Sequence, residues 1–364
     1  MSPSVLCVRL DNAGDVLLAG PALRAVAAGA DRVVLLAGPN GAAAGRLLPG
    51  VDEVLEWRCP WIDPSPDPVR ADDLADLVDR VRELHVDKAL VLTSFHQSPL
   101  PTALLLRQAG VPWVGAISED YPGSLLDLRH RLSDDLPEPE RAVSLARAAG
   151  FDLPDGDDGR LGLRRPLPPV SSLLRGAERH PYAVVHPGTS VPARAWPAYR
   201  HREAVQALRA AGWPVVVTGT AAESALTASV ATDGALDLGG RTSLAELAAV
   251  LAAASVVVVG NTGPAHLAAA VGTPVVSLFA PTVPARRWAP YGVPIALLGD
   301  QEASCAATRA TVCPVPGHPC LASVSPEDVL AAVTSLTGGP PVGRPVGRPG
   351  GLRAAATDEL EVVR

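Results

Sequence analysis

The stretch RLDNAGDVLL, residues 9–18, joins a predicted strand to a predicted helix and carries two carboxylates at the junction. The apolar run over residues 5–8 is typical of a buried strand, and the pattern from Val16 onward is typical of a helix. One interpretation of Asp11 and Asp15 is structural, with Asp11 or Asn12 accepting hydrogen bonds from the first N–H groups of the helix. The alternative is that these carboxylates belong to a functional site.

Composition limits the class of protein. The chain has 364 residues, of which 48% are hydrophobic and 19% charged, which is typical of a globular protein with room for two domains. A formal net charge of −7 argues against nucleic acid as a partner, because binding phosphates requires a basic surface. The sequence shows neither a secretory signal nor an apolar stretch of membrane-spanning length. We therefore expect a cytoplasmic protein with at most peripheral membrane contact.

Apolar strand patterns alternate with helical patterns in both halves of the chain. The predicted strands cover residues 4–10, 32–37, 53–57, 88–95, 113–117, 183–186, 214–218, 235–238, 256–260 and 274–279. The predicted helices cover residues 16–28, 71–84, 101–109, 134–150, 200–211, 221–230, 244–254 and 265–271, and a last helix has Ser325 as its cap. Such alternation predicts parallel βαβ units with right-handed crossovers.

The domain organisation follows from a break in this pattern. Residues 152–172 are rich in Pro, Gly and Asp and lack a sustained period, which indicates a connection between domains. We predict an N-terminal domain over residues 1–165, a linker over 166–180, a C-terminal domain over 181–337 and a disordered tail over 338–364. The predicted fold class is α/β, with two Rossmann-like, doubly wound domains and an interdomain cleft. Ligands of such sheets bind beyond the carboxyl ends of the strands.

The polar residues at strand ends therefore carry the functional argument. G-x-G-x-x-G, Walker and G-x-S-x-G motifs are missing from the sequence, which disfavours dehydrogenases, P-loop enzymes and serine hydrolases. Asn261, Thr262 and Gly263 follow a predicted strand and open a helix, an arrangement suited to an anion. His266 lies one turn further, as a packed core residue or a ligand contact. Thr282 follows the neighbouring strand, and two adjacent turns suit a diphosphate.

The segment HPGTSVPARAWP, residues 186–197, adds a positive charge to the predicted donor side. Gly188 permits close approach of a ligand to the backbone, and Thr189 lies beside it. The planar guanidinium of Arg194 suits phosphate. Glu223 begins a helix, where it either binds the hydroxyls of a ribose or serves as a first-turn acid favoured by the helix dipole.

Two features could suggest a metal, and we predict none at either. Cys305, Cys313 and Cys320 lie near His318 but lack the C-x₂-C spacing of a zinc ribbon. The pair Asp155-x-Asp157 lies in a Gly- and Pro-rich loop, where acidic residues are usually solvated turn residues.

Together, RLDNAGDVLLAGPAL and the three C-terminal segments at residues 186–197, 218–224 and 260–284 resemble glycosyltransferase family 9, the ADP-heptose heptosyltransferase family. The resemblance extends from residue 4 to about residue 335. It implies a GT-B fold, with donor bound to the C-terminal domain and acceptor to the N-terminal one. It also implies inverting transfer without a metal ion or other cofactor.

The resemblance assigns roles residue by residue. Asp15 matches the general base of the family, and Arg194 stands where the family has a lysine that contacts the donor diphosphate. Glu223 matches an acid that binds the ribose, and Thr262, Gly263 and His266 match the diphosphate turn.

Two positions depart from the family pattern. Asn261 replaces an aspartate beside the donor turn, and Pro137 replaces the histidine of an H-x-x-E-R signature. We place acceptor contacts at Asp11, His96 and Gln97. The predicted function is transfer of a sugar, a heptose on this resemblance, from an ADP-activated donor to a glycan or small-molecule hydroxyl. The alternatives are a non-hydrolysing nucleotide-sugar epimerase and a sugar-nucleotide binding protein without turnover.

Overall fold

The computed structural model describes residues 2–132 and 135–340, and the chain divides into two compact units. The first unit ends at Arg164 and the second starts at Arg165. Six strands lie in the first unit: β1 Ser4–Arg9, β2 Arg32–Ala37, β3 Glu53–Glu56, β4 Lys88–Val91, β5 Trp113–Ile117 and β6 Leu128–His130. Six lie in the second: β7 Ala183–His186, β8 Val215–Val217, β9 Leu236–Asp237, β10 Val256–Gly260, β11 Val275–Leu278 and β12 Ile295–Leu298.

Helices alternate with these strands along the chain. Those of the first unit are α1 Ala13–Leu18, α2 Gly20–Gly29, α3 Pro39–Gly45, α4 Ala71–Glu83, α5 Leu100–Gln108 and α6 Glu138–Ala148. Those of the second unit are α7 Ser171–Leu174, α8 Ala198–Ala210, α9 Ser224–Val230, α10 Leu244–Ala253, α11 Gly263–Val271, α12 Ala285–Trp288, α13 Pro319–Ala322 and α14 Pro326–Thr337. None of the helices in the described ranges is long and apolar enough to cross a membrane.

Each unit contains one six-stranded parallel sheet, and the two sheets share one topology. The first has the order β3-β2-β1-β4-β5-β6, and the second, β12-β11-β10-β7-β8-β9, is the same arrangement read from the other edge. This is the Rossmann order, in which strand order reverses beside the first strand. The reversal falls between β1 and β4 in the first unit and between β7 and β10 in the second. The prediction of two doubly wound α/β units is thus confirmed.

The cores explain why the strands read as continuous apolar runs. Five of the six residues of β1 and all five of β10 are buried, because helices cover both faces of each sheet. One buried cluster of the first unit includes Leu6, Val34 and Val114, and one of the second includes Trp213 and Val258. Burial on both faces favours β-branched and aliphatic side chains at every strand position.

The structure corrects the predicted elements at several points. Strands β6 and β12 were not predicted; the LRH sequence of β6 is half-buried at the edge of its sheet and carries a single aliphatic residue. The helix predicted over residues 16–28 starts at Ala13 instead and divides at Ala19 into α1 and α2. The cap predicted at Ser325 is confirmed, since its hydroxyl accepts from the backbone N–H of Asp328.

The connection between the units is more structured than predicted. The segment 166–180 contains α7 and a 3₁₀ turn at Ala177–Arg179, and it is part of the second unit. Before it, Arg164 donates to the carbonyl oxygen of Leu48 at 2.9 Å and also to that of Val51, which fixes the chain against the first unit. The predicted tail begins at Gly338, the C-cap of α14, and from residue 341 on it lies outside the described residues.

Candidate functional site

The first candidate cluster lies at the β1/β4 reversal of the first unit. We call it the amino-terminal cluster and define it by Arg9, Asp11, Asp15, Ser94, Gln97 and Glu138. Arg9 ends β1, while Asp15 is the third residue of α1. Ser94 and Gln97 follow β4, the neighbouring strand. Parallel strands bring their carboxyl ends to one edge of the sheet, which is why residues distant in sequence meet there.

Arg9 is the centre of this cluster, and its side chain is only 3% exposed. Its Nη2 donates to Asp15 Oδ1 at 3.1 Å and to Ser94 Oγ at 2.9 Å. Its Nε lies 3.0 Å from Asp11 Oδ2, which makes a second ion pair. One guanidinium therefore holds two carboxylates and a hydroxyl in fixed relative positions.

A third carboxylate approaches Arg9 from α6. Glu138 Oε2 lies 3.8 Å from Arg9 Nη1 and 3.8 Å from Arg141 Nη1, and the Glu138 side chain is 2% exposed. Arg141 also donates to the carbonyl oxygen of Thr93, just after β4. Two guanidinium groups and three carboxylates thus lie together at the end of the sheet, and buried charges are tolerated when they are paired in this way.

Burial shifts the titration of these groups. Burial alone would lower the pKa of Arg9, but Asp11, Asp15 and Glu138 together raise it above its ordinary value. Burial raises the pKa of Asp11, against the opposing effect of Arg9, and the neighbouring Asp15 charge adds to the rise. Arg9 is therefore a permanent cation, and the burial of Asp11 disfavours the charged form of that carboxylate.

The structural interpretation of Asp11 as a helix cap is wrong. The N-cap of α1 is Asn12, which makes no side-chain cap hydrogen bond. Asp11 instead accepts a hydrogen bond from Gln97 Nε2 at 2.5 Å, and Gln97 Oε1 accepts one from the backbone N–H of Ser94 at 3.0 Å. His96 is close enough to Asp11 to lower its pKa. The structure therefore brings together all three residues that we predicted for the acceptor.

The second cluster lies at the β7/β10 reversal of the second unit. This carboxy-terminal cluster is defined by the predicted donor residues Gly188, Thr189, Arg194, Glu223, Asn261, Thr262, Gly263, His266 and Thr282. The loop after β7 passes close to the end of β10: a Cβ added to Gly260 would lie 2.9 Å from Thr189 Cγ2 and 3.5 Å from the Arg194 carbonyl oxygen.

Backbone contacts anchor the loop that carries Arg194. Arg194 ends a 3₁₀ turn, Pro192–Arg194. The N–H of Ala193 donates to the Thr311 carbonyl at 2.9 Å, and His318 Nε2 lies 3.1 Å from the Ala193 carbonyl oxygen. The guanidinium acts on His266, whose pKa falls to about 4 through burial and, secondarily, the Arg194 charge. His266 is therefore neutral at pH 7, so one ring nitrogen donates and the other accepts.

Gly188 and Glu223 also meet in this cluster. A Cβ at Gly188 would lie 2.0 Å from Glu223 Oε1, so only glycine fits there beside the carboxylate. Glu223 Oε2 accepts from the backbone N–H and the hydroxyl of Thr220, at 2.8 Å and 2.9 Å. This is a capping box, the first-turn interpretation that the sequence left open.

Asn261 Nδ2, His266 Nδ1 and Thr282 Oγ1 are buried polar atoms of the cluster that lack a hydrogen-bond partner among the described residues. Asn261 directly follows β10, His266 lies in the first turn of α11, and Thr282 follows β11, which pairs with β10. Thr262 is the N-cap of α11 and uses its hydroxyl in no cap hydrogen bond, and Gly263 begins the helix. Buried polar atoms without partners in the protein are candidates to bond a ligand.

The two features weighed as metal sites have other surroundings. Asp157 is bound by Arg24, with Nε–Oδ2 at 2.6 Å and Nη2–Oδ1 at 2.8 Å. All five cysteines are free thiols, and Cys305 and Cys320 are buried. Within residues 2–132 and 135–340, no group of three or more His, Cys, Asp or Glu side chains is arranged to hold a metal ion.

The sequence did not point to several residues of the two clusters. Arg9 and Ser94 were missed, as was Glu138, which directly follows the Pro137 that we did single out. His186 was missed as well; its Nδ1 lies 2.9 Å from Thr218 Oγ1, and burial lowers its pKa to about 4. A usable signal was present for Arg9, because a charged residue ending an otherwise apolar central strand must be paired there.

A family model described as glycosyltransferase family 9 (heptosyltransferase) matches residues 75–318, about two thirds of the chain. The match reaches into both units and includes every predicted donor residue, while the opening stretch with Asp11 and Asp15 lies outside it. It is shorter than the range that the motifs suggested. No curated protein sequence matches the chain.

Solved structures with the same fold include three with high coverage. A glycosyl transferase family 9 protein from Veillonella parvula has a TM-score of 0.73 at 17% identity, over 92% of this chain and 97% of that one. The ADP-heptose lps heptosyltransferase II of E. coli gives 0.70 at 21% identity, over 92% and 98%. The E. coli heptosyltransferase WaaC with ADP-2-deoxy-2-fluoro heptose gives 0.67 at 20% identity, over 91% and 99%. These likenesses show the GT-B fold.

Proposed function

Because the chain belongs to glycosyltransferase family 9 and is a glycosyltransferase, we propose that it transfers a heptose from an ADP-activated donor to a hydroxyl acceptor with inversion. The acceptor is a carbohydrate or a small molecule. Similarity to an ADP-heptose lps heptosyltransferase and to WaaC with an ADP-heptose analogue supports this choice of donor.

The unpartnered polar atoms of the carboxy-terminal cluster carry the proposal. A buried polar atom without a partner costs about 1–3 kcal/mol, so three of them at two neighbouring strand ends are explained best by a ligand. Asn261 Nδ2 is a donor, and a threonine hydroxyl and a neutral imidazole can each donate as well. Three donors suit the oxygens of a diphosphate.

Positive potential at the same place favours an anion. Arg194 lies close enough to His266 to lower its pKa, and α11 directs its N-terminus to the same strand end. In the proposed complex Arg194 and the turn Thr262–Gly263 hold the diphosphate. We propose that these groups, together with the donors above, stabilise the leaving diphosphate without a metal ion or other cofactor.

Glu223 is proposed to bind the ribose of the donor. Its Oε2 is engaged by Thr220, but a carboxylate has two oxygens and about four acceptor sites. The close approach of Gly188 leaves the backbone of the β7 loop beside this carboxylate. Thr189 lies in the same loop and completes the proposed donor set.

Asp15 is proposed as the general base. Inverting transfer requires the acceptor hydroxyl to attack the anomeric carbon opposite the leaving diphosphate, and a carboxylate that takes the hydroxyl proton accelerates this step. Of the three carboxylates around Arg9, Asp15 is the most accessible, with 23% of its side chain exposed against 11% for Asp11 and 2% for Glu138. Asp11, His96 and Gln97 are proposed to position the acceptor.

A cytoplasmic location is part of the proposal. It is supported by the five free cysteines, since reduced thiols are typical of proteins in a reducing compartment.

Calorimetric titration of the purified protein with ADP, GDP and UDP, followed by transfer assays with the corresponding sugars, tests the donor assignment. We expect ADP to bind most tightly and ADP-heptose to be consumed with release of ADP, in buffer containing a chelator. Preferred binding of GDP or UDP would overturn the assignment of the nucleotide. Tight ADP binding without turnover on a panel of acceptors would favour the binding-protein alternative.

A further inference from the structure

The Arg9 side chain has more constraints than an ordinary buried arginine. Its Nη2 donates hydrogen bonds to Asp15 and Ser94, while Nε lies within ion-pair distance of Asp11, at 3.0 Å, and Nη1 within ion-pair distance of Glu138, at 3.8 Å. These acceptors come from four segments: the β1–α1 turn, α1, the loop after β4, and α6. The guanidinium therefore fixes the position of Asp15 relative to the rest of the first unit.

We propose that Arg9 is the positioning residue of the reaction, holding the Asp15 carboxylate in one orientation, with Glu138 and Ser94 holding Arg9 in turn. This inference rests on the proposed function, in which Asp15 receives the acceptor proton. A base held in place by a planar donor loses little orientational freedom when the acceptor binds.

Geometry decides why the residue is an arginine. Arg9 Nη2 donates the hydrogen bond to Asp15, whereas a different nitrogen, Nη1, faces Glu138 Oε2 at a distance of 3.8 Å. A lysine ammonium would supply the charge from a single point and could not span these partners. Arg9→Lys therefore separates the contribution of charge from that of shape.

The charged groups around Asp15 determine how the removal of the Arg9 charge would affect the Asp15 carboxyl group. Charged and titratable groups face it or its partners from each neighbouring element: Arg9 from β1, Asp11 from the turn, His96 from the loop after β4, and Glu138 and Arg141 from α6. Arg9 is the cation in direct contact with Asp15, so its removal leaves mainly like charges nearby. The neutral form of the carboxyl group becomes favoured.

The first test measures turnover. We expect Arg9→Lys to lower kcat by about 10-fold, part of the 10²–10⁴-fold contribution of a positioned base, with ADP affinity unchanged. In an Asp15→Asn background the same substitution should have no further effect, because a positioning residue acts through its partner. Arg24→Lys is the matched control: Arg24 forms a two-bond ion pair with Asp157 in the same unit, away from the cluster. Unchanged kcat in Arg9→Lys, or a loss that persists in the Asp15→Asn background, would overturn the proposal.

The second test does not depend on activity. The carboxyl ¹³C signal of Asp15, assigned by its disappearance in Asp15→Asn, is titrated in the wild type, Arg9→Lys and Arg9→Gln. We expect the Asp15 midpoint to rise by at least about one pH unit in Arg9→Gln, and less in Arg9→Lys, which also folds if Arg9→Gln does not. An unmoved midpoint in the folded variants would refute the role of Arg9. If the wild type transferred no sugar, the proposed function would fall while this titration still reported on Arg9.

Discussion

Asp15 is the residue on which the chemistry of the first unit should depend, because it combines a fixed position with access to solvent. Its hydrogen bond to Arg9 and its place in the first turn of α1 give it one orientation. Asp11 and Glu138 share the same arginine but are more buried. The three carboxylates therefore differ in their exposure to solvent, and Asp15 is the one that an acceptor can reach most easily.

Asp15→Asn separates a catalytic from a structural role. Asparagine is nearly isosteric and can still accept from Arg9, so we expect an unchanged fold and unchanged ADP affinity. Turnover should fall by ~10²-fold or more, the usual contribution of a positioned base. Turnover and melting temperature measured on the same preparation decide the matter, and full activity would remove Asp15 as the base.

Arg194→Ala tests the donor side. We expect ADP affinity to fall by about 1.5–3 kcal/mol, the range for a hydrogen bond to a charged group. Arg194→Lys should recover much of this loss if charge matters more than the shape of the guanidinium. Calorimetric titration with ADP measures both, and wild-type affinity in Arg194→Ala would exclude the residue from the donor site.

The sequence predicted single residues unevenly. Asp11, Gln97 and Asp15 were found because polar side chains at a strand end stand out from apolar flanks. Arg9 and Glu138 were missed because their importance lies in contacts between segments more than 80 residues apart in sequence, such as Arg9 with Ser94. The capping interpretation of Asp11 failed for a related reason. Arg9 contacts one oxygen of its carboxylate and the distant Gln97 contacts the other, so the carboxylate is not used to cap the helix.

At the scale of elements, the contact between the β7 loop and the start of α9 is the tightest of the carboxy-terminal cluster. Gly188 leaves room for the Glu223 carboxylate, and that carboxylate closes the capping box with Thr220. The capping box of Thr220 and Glu223 therefore depends on the glycine at position 188.

Gly188→Ala should displace this carboxylate and break the capping box. We expect a loss of about 1 kcal/mol or more in the free energy of unfolding, the usual cost of losing a cap, with weaker ADP binding. Chemical denaturation measures the loss. Gly162→Ala is a suitable control, because its added Cβ would meet nothing closer than 3.7 Å. In a Glu223→Ala background the effect of Gly188→Ala on stability should disappear; its persistence would place the clash elsewhere.

Strands and helices with a full apolar pattern were predicted within a few residues, as for β2, β5, β7 and β10, whose bounds agree with the prediction. The edge strand β6 was missed because its LRH sequence carries a single aliphatic residue, and β12 was missed although its sequence, IALL, is apolar throughout. The short helix α3 was missed because it is composed of Pro, Asn, Gly and Ala, a composition that suggests a turn. Its glycines pack closely against the β1–α1 turn, α1, β2 and β3, and this packing favours the helix.

At the scale of the whole molecule, the two units should respond differently to acid. His186, His201 and His266 are all buried in the second unit, and burial lowers their pKa values to about 4, about 3 and about 4. An unfolded chain takes up these protons near pH 6.5, whereas the folded unit resists them until the lower values are reached. The free energy of unfolding of the second unit should therefore fall as pH drops from about 6.5 towards 4.

The expected decline is at most about 1.4 kcal/mol per pH unit for each histidine within this window. Urea denaturation at a series of pH values measures it, in a variant that keeps only the tryptophans of the second unit. His201→Gln should make the decline shallower. If the free energy of unfolding did not change across this window, the three buried histidines would accept protons in the folded unit as readily as in the unfolded chain.

The division at Arg164 and Arg165 has a consequence for how such enzymes can diversify. All strand pairings of the described residues fall within one sheet or the other, so a crossover at this bond cuts none of them. The proposed acceptor residues all precede the bond and the proposed donor residues all follow it. Recombination there, by chance or in a chimeric gene, would exchange one substrate preference while inheriting the other, and selection could act on each half as a separate trait.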